Sequence, residues 1–358
     1  SGGNMGAASL ALATGGRDPR LRRYDYDVTN TVNVSDVDEV RTAVALLFVE
    51  LWPTAAFDEL WLAFHDFQRL FEGRMPGYAG CDTVYHDTQH SLDITLAMAR
   101  LIAGYEKTVP EEERLGPERA VLGIISALFH DAGYIRERDE QQFRNGAEYT
   151  MWHVSRSAQF LKEYLPSIGM SQQAYRASII VHFTGYEKDI EELETILQDP
   201  LDSLVGHLLG TADLIAQMAD RCYLEKCRDR LYLEFVLAGI AIEQTRPGMQ
   251  KVLYQSGTVL LLQTPKFYEG SVKERLKRKF NRAYRYIEAL YDGRNPYMEF
   301  IERNIAYLEL IIETGNWSEL RRTPPCFAVS EDPLADANAL VNERINMLRE
   351  NISVLGSS

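Results

Sequence analysis

The sequence predicts an all-α protein, and three observations carry that expectation. Apolar residues recur at helical spacing in one segment after another from about residue 36 onward. Acidic or proline-bearing starts precede several of those segments, as helix N-termini favour. Strand-like alternation of apolar and polar residues is scarce.

The elements follow in order. "DVDEVRTAVALLFVELW" opens on acidic residues and continues with an apolar face. "FDELWLAFHDFQRLF" repeats the pattern with heavy aromatic use. "GPERAVLGIISALFHDAGY" carries Pro117 at a first helical position and closes near Gly133, a C-terminal cap. "MWHVSRSAQFLKEYL", "AYRASIIVHF" and "SLVGHLLGTADLIAQMADRCYLEKCRDRLYLEFV" predict further helices. "GTVLLLQTPKFY" reads equally as helix or strand. "KERLKRKFNRAYRY" holds seven Lys or Arg between Lys273 and Arg285 with apolar residues interleaved. Its simplest reading is an amphipathic helix with a solvated face; the alternative is a patch for phosphate groups. The tail, "PLADANALVNERINMLRENISVL", predicts a helix that packs on the body or, in a homodimer, on a second subunit. The expected division is a flexible segment over 1–33, a catalytic domain over 34–290 and a helical extension over 291–358 packed on the same body.

Composition narrows the function classes. The 358 residues are 46% hydrophobic and 25% charged, ordinary for a globular chain. A net charge of −14 lacks the basic footprint of a nucleic-acid duplex binder. An anionic small molecule stays compatible, because a bound metal reverses the local field. The four cysteines (Cys81, Cys222, Cys227 and Cys326) form no C-x-x-C pair and imply no disulfide framework. A reducing, cytoplasmic location is the expectation. No apolar run approaches a membrane span, and the N-terminus has no signal-peptide core.

The chemistry is expected from histidine and aspartate. "YHDTQH" sets His86 and His90 four residues apart, so both share one helix face. Such a pair also occurs on ordinary helix surfaces. The zinc-protease pattern H-E-x-x-H fits poorly, since Asp87 is one methylene shorter than the required Glu. Downstream, "ALFHDAGY" places His130 and Asp131 at the end of a strongly apolar helix. Burying that adjacent imidazole and carboxylate is costly unless they are paired or metal-bound. "MWHVS" adds His153, "IIVHFTGY" adds His182, and Asp213 interrupts the apolar run "LLGTADLIAQM". Each alone reads as a core histidine or a helix cap. In order, with His90, they supply six N/O ligands, enough for two metal sites sharing a carboxylate. His65-Asp66 lies upstream in an aromatic helix and reads as a decoy; His207 lies off the helical face of Asp213 and reads as core or surface.

These motifs in combination resemble the HD-domain metal-dependent phosphohydrolases, and most of all the catalytic domain of class I cyclic-nucleotide phosphodiesterases. "YHDTQHSLDI" is similar to the "YHN-x-x-H-A-x-D-V" signature, with Asp87 in the Asn position. "LFHDAGY" matches the HD dyad, and "GTADLIAQMADRCYLEKCRDRLYLEF" resembles the segment carrying the last metal aspartate. The resemblance covers residues 37 to 290 and implies a helical bundle of that type. It implies that His90, His130, Asp131 and Asp213 hold a first metal, that Asp131 bridges to a second, and that His86 is the general acid. Asp93 would orient a ligand from behind. Gln263 and Phe267 lie about as far beyond Asp213 as the base-binding Gln and clamping Phe of those enzymes, with a gap one residue longer.

Two departures matter. Tyr134 stands where the phosphodiesterases have a further histidine, and His182 stands where they have a Thr-Asp pair. The second metal is therefore expected to use His153 and His182, as in dinuclear HD proteins. Those include HD-GYP cyclic di-GMP phosphodiesterases and di-iron oxygenases, although "VHFTGYEKD" lacks the His-His-Glu run and the Gly-Tyr-Pro motif. The leading expectation is a phosphodiesterase acting on a cyclic nucleotide or related small phosphodiester. It would use two divalent ions (Zn, Mg, Mn or Fe), a metal-bridging hydroxide as nucleophile and His86 as proton donor. The alternatives are a di-iron oxygenase on the same ligands and a non-catalytic nucleotide-binding sensor.

Overall fold

A computed structural model describes residues 21–246 and 249–356. The helices are α1 Val37–Leu51, α2 Asp58–Phe71, α3 Thr88–Thr108, α4 Gly116–Leu128, α5 His153–Ser167, α6 Ala174–Ile180, α7 Ile190–Leu197 and α8 Pro200–Met218. They continue with α9 Tyr223–Lys226, α10 Tyr232–Ala238, α11 Gly257–Phe267, α12 Pro296–Thr314 and α13 Pro333–Gly356. The all-α expectation holds. The one addition among the described residues is an antiparallel hairpin, β1 Ile242–Arg246 with β2 Met249–Val252. "GTVLLLQTPKFY" resolves as helix: the Ser256 hydroxyl accepts the Val259 N–H and starts α11.

Helix α3 is the axis of the fold. It is buried continuously from Ser91 to Glu106 and packs against α1, α4, α8 and the 3-10 stretch Ala283–Leu290. A helix buried on every side must answer for each polar group it carries. The Thr95 hydroxyl donates to the Ser91 carbonyl at 2.7 Å. The Glu106 carboxylate accepts the N–H groups of Leu115 (2.7 Å) and Gly116 (3.2 Å), capping the start of α4. Arg100 meets Asp27 at 2.6 Å and also donates to the Tyr297 hydroxyl at 2.9 Å.

The Asp27 contact corrects an expectation. Residues 1–20 of the segment expected to be loosely attached lie outside the described residues, but residues 21–33 are fastened to the body. Asp27 accepts from the Thr29 hydroxyl and from the backbone N–H groups of Thr29, Thr31 and Val32. Arg22 donates to the Ala219 carbonyl at 2.8 Å, and Gln89 donates to the Tyr24 carbonyl at 3.0 Å. The acidic and turn-forming residues that made this stretch read as loop are the ones that tie it down.

At the other end, α13 packs on the body. Ala337 and Val341 join Leu233, Val236 and Leu237 in a satellite core, and Arg344 reaches Glu148 at 2.9 Å. The basic stretch at 273–285 is amphipathic, as its simpler reading required. Leu276 and Phe280 are buried, Lys279 pairs with Glu191 at 2.6 Å, and Arg275 donates to the Phe183 and Gly185 carbonyls.

The Asp27–Arg100 pair yields a pH prediction. Burial raises the Asp27 carboxyl pKa, but Arg100 and the surrounding N–H and O–H donors outweigh it and lower the value to about 2. The folded pKa thus lies below the unfolded one. The contribution is full above about pH 4 and is lost as pH falls toward about 2, amounting to about 2 kcal/mol. Asp27→Ala, which leaves Arg100 buried and unpaired, should cost about 3–5 kcal/mol in urea unfolding at neutral pH. It should also flatten the acid limb of the stability curve in that window.

Candidate metal centre

Four elements end at one place. His90 lies in the first turn of α3, and His130 and Asp131 lie just beyond the end of α4. His153 opens α5, and Asp213 lies late in α8. Asp87 sets the first of these. It is the N-cap of α3, and its Oδ1 accepts the His90 N–H at 3.0 Å. Its Oδ2 accepts the Phe327 N–H at 3.0 Å. Asp87 therefore holds the backbone of a candidate ligand, and the role of holding His86 protonated falls to another residue.

The turn after α4 depends on Gly133. A Cβ there would lie 1.8 Å from the His153 carbonyl oxygen, so only glycine lets α5 approach this closely. The Gly133 N–H donates to the Ser157 hydroxyl at 2.8 Å, and Arg156 donates to the Gly133 carbonyl at 2.7 Å. This contact delivers His153 to Asp131, with Nε2 3.7 Å from Oδ1.

The ligand atoms then converge. The Nε2 atoms of His90 and His130 lie 3.2 Å and 3.1 Å from Asp131 Oδ2, and each lies 3.6 Å from Asp213 Oδ1. His130 Nδ1 is 2.6 Å from the Ala127 carbonyl, and His153 Nδ1 is 2.7 Å from the Thr150 carbonyl. A carbonyl only accepts, so both Nδ1 atoms carry the proton in the neutral rings and both Nε2 atoms present lone pairs. His90 Nε2, His130 Nε2 and Asp131 Oδ2 are buried and lack a hydrogen-bond partner. Lone pairs facing a carboxylate in the interior require a cation or a proton between them. Bonds of about 2.0–2.2 Å to one ion put its ligand atoms roughly 3 to 3.6 Å apart, and these atoms have that spacing. The donor set therefore fits a divalent ion. The same residues can hold a proton instead. Burial works against both charges, yet Asp131 raises the His130 pKa and His130 lowers that of Asp131. An ion entering the site displaces that proton.

His86 stands beside this cluster, and one of its ring nitrogens lies within 4.8 Å of ligand atoms of His90 and Asp131. Its Nδ1 is 2.5 Å from Glu234 Oε1, while Glu234 Oε2 accepts the N–H groups of Tyr85 (2.6 Å) and His86 (3.1 Å). Burial opposes the charged ring, but Glu234 overrides it and raises the His86 pKa to about 9. Tyr134 packs against two imidazoles. Its ring stacks on His86 at 4.6 Å and on His153 at 4.2 Å. Burial, the first cause, and the nearby His86 and His130 charges lower the His153 pKa, with Asp131 acting in the opposite sense.

Glu234 was not singled out from the sequence, although it interrupts the apolar run "YLEFVLA" inside the segment that carried the resemblance. Its signal was a lone carboxylate on an apolar helix, the same signal that marked Asp213.

Two expectations fail here. His182 is buried in the turn after α6, but no carboxylate lies within 4.0 Å of its ring among the described residues, and it joins neither ligand group. The short 3-10 turn Val181–Thr184 ends α6 and leaves that ring outside the cluster, so a second ion would rest on Asp131 and His153. Gln263 is exposed on α11 and does not line the cavity beside the cluster, whereas Phe267, one turn on, does. Four residues apart, the two share a side of α11, and only the one nearer its C-terminal end reaches the cavity. Asp93 sits behind His90 in a small polar void with Asp220 and Lys226, its Oδ1 unpartnered and its pKa raised by burial to about 7. His65-Asp66 is structural, as read: Asp66 accepts from Tyr164 at 2.6 Å and from Arg69 at 3.2 Å. His207 packs in a separate groove, 3.8 Å from Glu194.

The fold and the cluster define an all-α protein with a buried His/Asp centre suited to a divalent ion. A model of the Npun_R2479-like family matches residues 72–310, which is well over half of the chain, so the protein belongs to that family. The matched segment contains every residue of the centre, and Glu234 and Phe267 as well. No curated protein matches the chain. Among solved structures, the phosphodiesterase domain of the RhoPDE fusion protein from the choanoflagellate Salpingoeca rosetta is similar. It is 12% identical with a TM-score of 0.47, over 86% of this chain and 99% of that one. No described helix is long and apolar enough to cross a membrane.

Metal analysis of purified variants checks the assignment. Asp131→Ala should abolish stoichiometric metal binding, and His207→Ala should leave it unchanged. Gly133→Ala should weaken metal affinity by about 10- to 100-fold through displacement of α5, read by competition with a chelating dye.

Proposed function

We propose that the protein is a metal-dependent phosphohydrolase that cleaves a small phosphodiester. The observation that carries this reading is an imidazole clamped by a buried carboxylate, standing beside a cluster of lone-pair ligands at the wall of one cavity. Cleaving a phosphodiester needs an electrophile and nucleophile on one side and a proton donor for the departing oxygen on the other. His90, His130, Asp131 and Asp213 hold the first ion, and Asp131 with His153 offers a second position. A divalent ion bound there would supply Lewis acidity toward the phosphoryl group and lower the pKa of a water.

The remaining work falls to the chain's own groups. Glu234 occupies His86 Nδ1, which leaves Nε2 to donate to the departing oxygen. The two backbone N–H groups on Glu234 Oε2 keep that carboxylate in place while His86 gives up its proton and takes another. Tyr134 packs against both the His86 and the His153 ring and restricts their rotation. The class of substrate implied by the motif resemblance is a cyclic nucleotide or a related diester.

The test pairs metal content with turnover of a phosphodiester panel under Zn, Mn, Mg and Fe. His86→Ala should retain its metals and lose about 10²- to 10⁴-fold in kcat. Glu234→Gln should lose turnover in the same direction with metal content intact. Full diesterase activity in Asp131→Ala would refute the site. Purification with iron and oxygen consumption without diester cleavage would replace this reading with an oxygenase.

A further inference from the structure

The cavity beside the metal centre encloses about 500 Å³. Apart from the metal-centre residues, its wall is largely apolar and aromatic. Leu214, Met218, Leu231, Phe235, Ile240 and Val272 contribute, drawn from α8, α10 and the segments that flank them. No Lys or Arg lines it among the described residues. Several polar side chains on the wall already hydrogen-bond within the protein. The Thr150 hydroxyl donates to the Ala147 carbonyl and the Thr184 hydroxyl to the Val181 carbonyl. The Gln217 amide oxygen accepts from the Tyr85 hydroxyl at 2.7 Å, and its nitrogen donates to the Asp213 carbonyl at 2.8 Å. Glu187 accepts from the Ser155 N–H and hydroxyl. Gln263, the amide expected to read a nucleobase, is not on the wall.

The mouth continues the same chemistry. Tyr186, Met151 and Phe267 line the cavity and are 67%, 59% and 47% exposed. The Arg275 guanidinium lies over the Tyr186 ring at 4.1 Å, but its hydrogen bonds go to the Phe183 and Gly185 carbonyls. Large apolar side chains left open at the rim of an apolar cavity mark a binding surface.

Resting on the phosphohydrolase reading, we infer that the substrate is an amphiphilic phosphodiester: one phosphoryl head at the metal centre and a bulky apolar body in the cavity. A purine or dinucleotide would bring ring nitrogens, hydroxyls or a second phosphate into a wall that offers them few partners, and unpaired polar groups there oppose binding.

The test uses the metal-loaded full chain and two readouts. The first is kcat/KM for p-nitrophenyl phosphodiesters whose second ester group runs from methyl through butyl and octyl to phenyl, beside cyclic AMP and cyclic GMP. The second is calorimetric binding of the matching alkylphosphonates, which needs no turnover. Expected is a rise of roughly three- to fourfold in kcat/KM and in affinity per added methylene until the cavity fills. The heat-capacity change of binding should grow more negative along the series, and cyclic nucleotides should trail the best ester by tenfold or more. Phe235→Ser together with Phe267→Ala should flatten the chain-length dependence of both kcat/KM and phosphonate affinity. A flat series, or a preference for cyclic nucleotides, overturns this inference and leaves the diesterase reading standing. Tight, length-dependent phosphonate binding without cleavage of any ester overturns the diesterase reading and upholds the apolar cavity.

Discussion

Three buried atoms, His90 Nε2, His130 Nε2 and Asp131 Oδ2, face one another without a hydrogen-bond partner. That arrangement is unfavourable for a folded chain by itself, because lone pairs out of water repel and nothing nearby satisfies them. It becomes favourable when a cation or a proton sits between them. The surrounding architecture serves to hold this frustrated geometry. The apolar packing of α3 fixes His90, the abrupt end of α4 presents His130 and Asp131, and the close approach at Gly133 carries His153 in. Carbonyls of Ala127 and Thr150 hold two rings in the tautomer that keeps the lone pairs inward.

Glu234 solves a neighbouring problem with opposite chemistry. Where the cluster gathers acceptors, Glu234 gathers three donors: two backbone N–H groups and His86 Nδ1. One imidazole is thereby kept out of the ligand set although it lies beside it. Two histidines four residues apart, indistinguishable by type, are sorted by which carboxylate each one meets.

What could be read from the sequence follows the physics of each feature. The helices and the convergence of His90, His130, Asp131 and Asp213 were readable because a charged or imidazole group inside an apolar helix is rare enough to signal itself. His182 carried the same local signal and misled, because the direction of its ring depends on a short 3-10 turn that periodicity does not register. Gln263 failed because distance along the chain does not say how far α11 extends past the cavity: it shares a face with Phe267, yet only Phe267 lines the wall. Asp87 stood out only as a residue in the Asn position of the resembled signature, and its role as an N-cap needed the start of α3 to be located to the residue. The anchored stretch at 21–33 was read as loose because turn-rich sequence resembles disordered sequence until its tertiary partners, Arg100 and Ala219, are known.

Asp87 also accepts the Phe327 N–H, and the Thr88 N–H donates to the Phe327 carbonyl. The helix turn that carries His90 is thus stitched to a strand of chain lying past residue 310, where the family match ends, just as Arg100 in the middle of that helix is stitched to Asp27, before the match begins. The stretch by which relatives are recognised is therefore shorter than the stretch that packs around this helix. Trimming the protein to its recognisable portion would remove ties at both the first turn and the midpoint of the helix on which the centre is built.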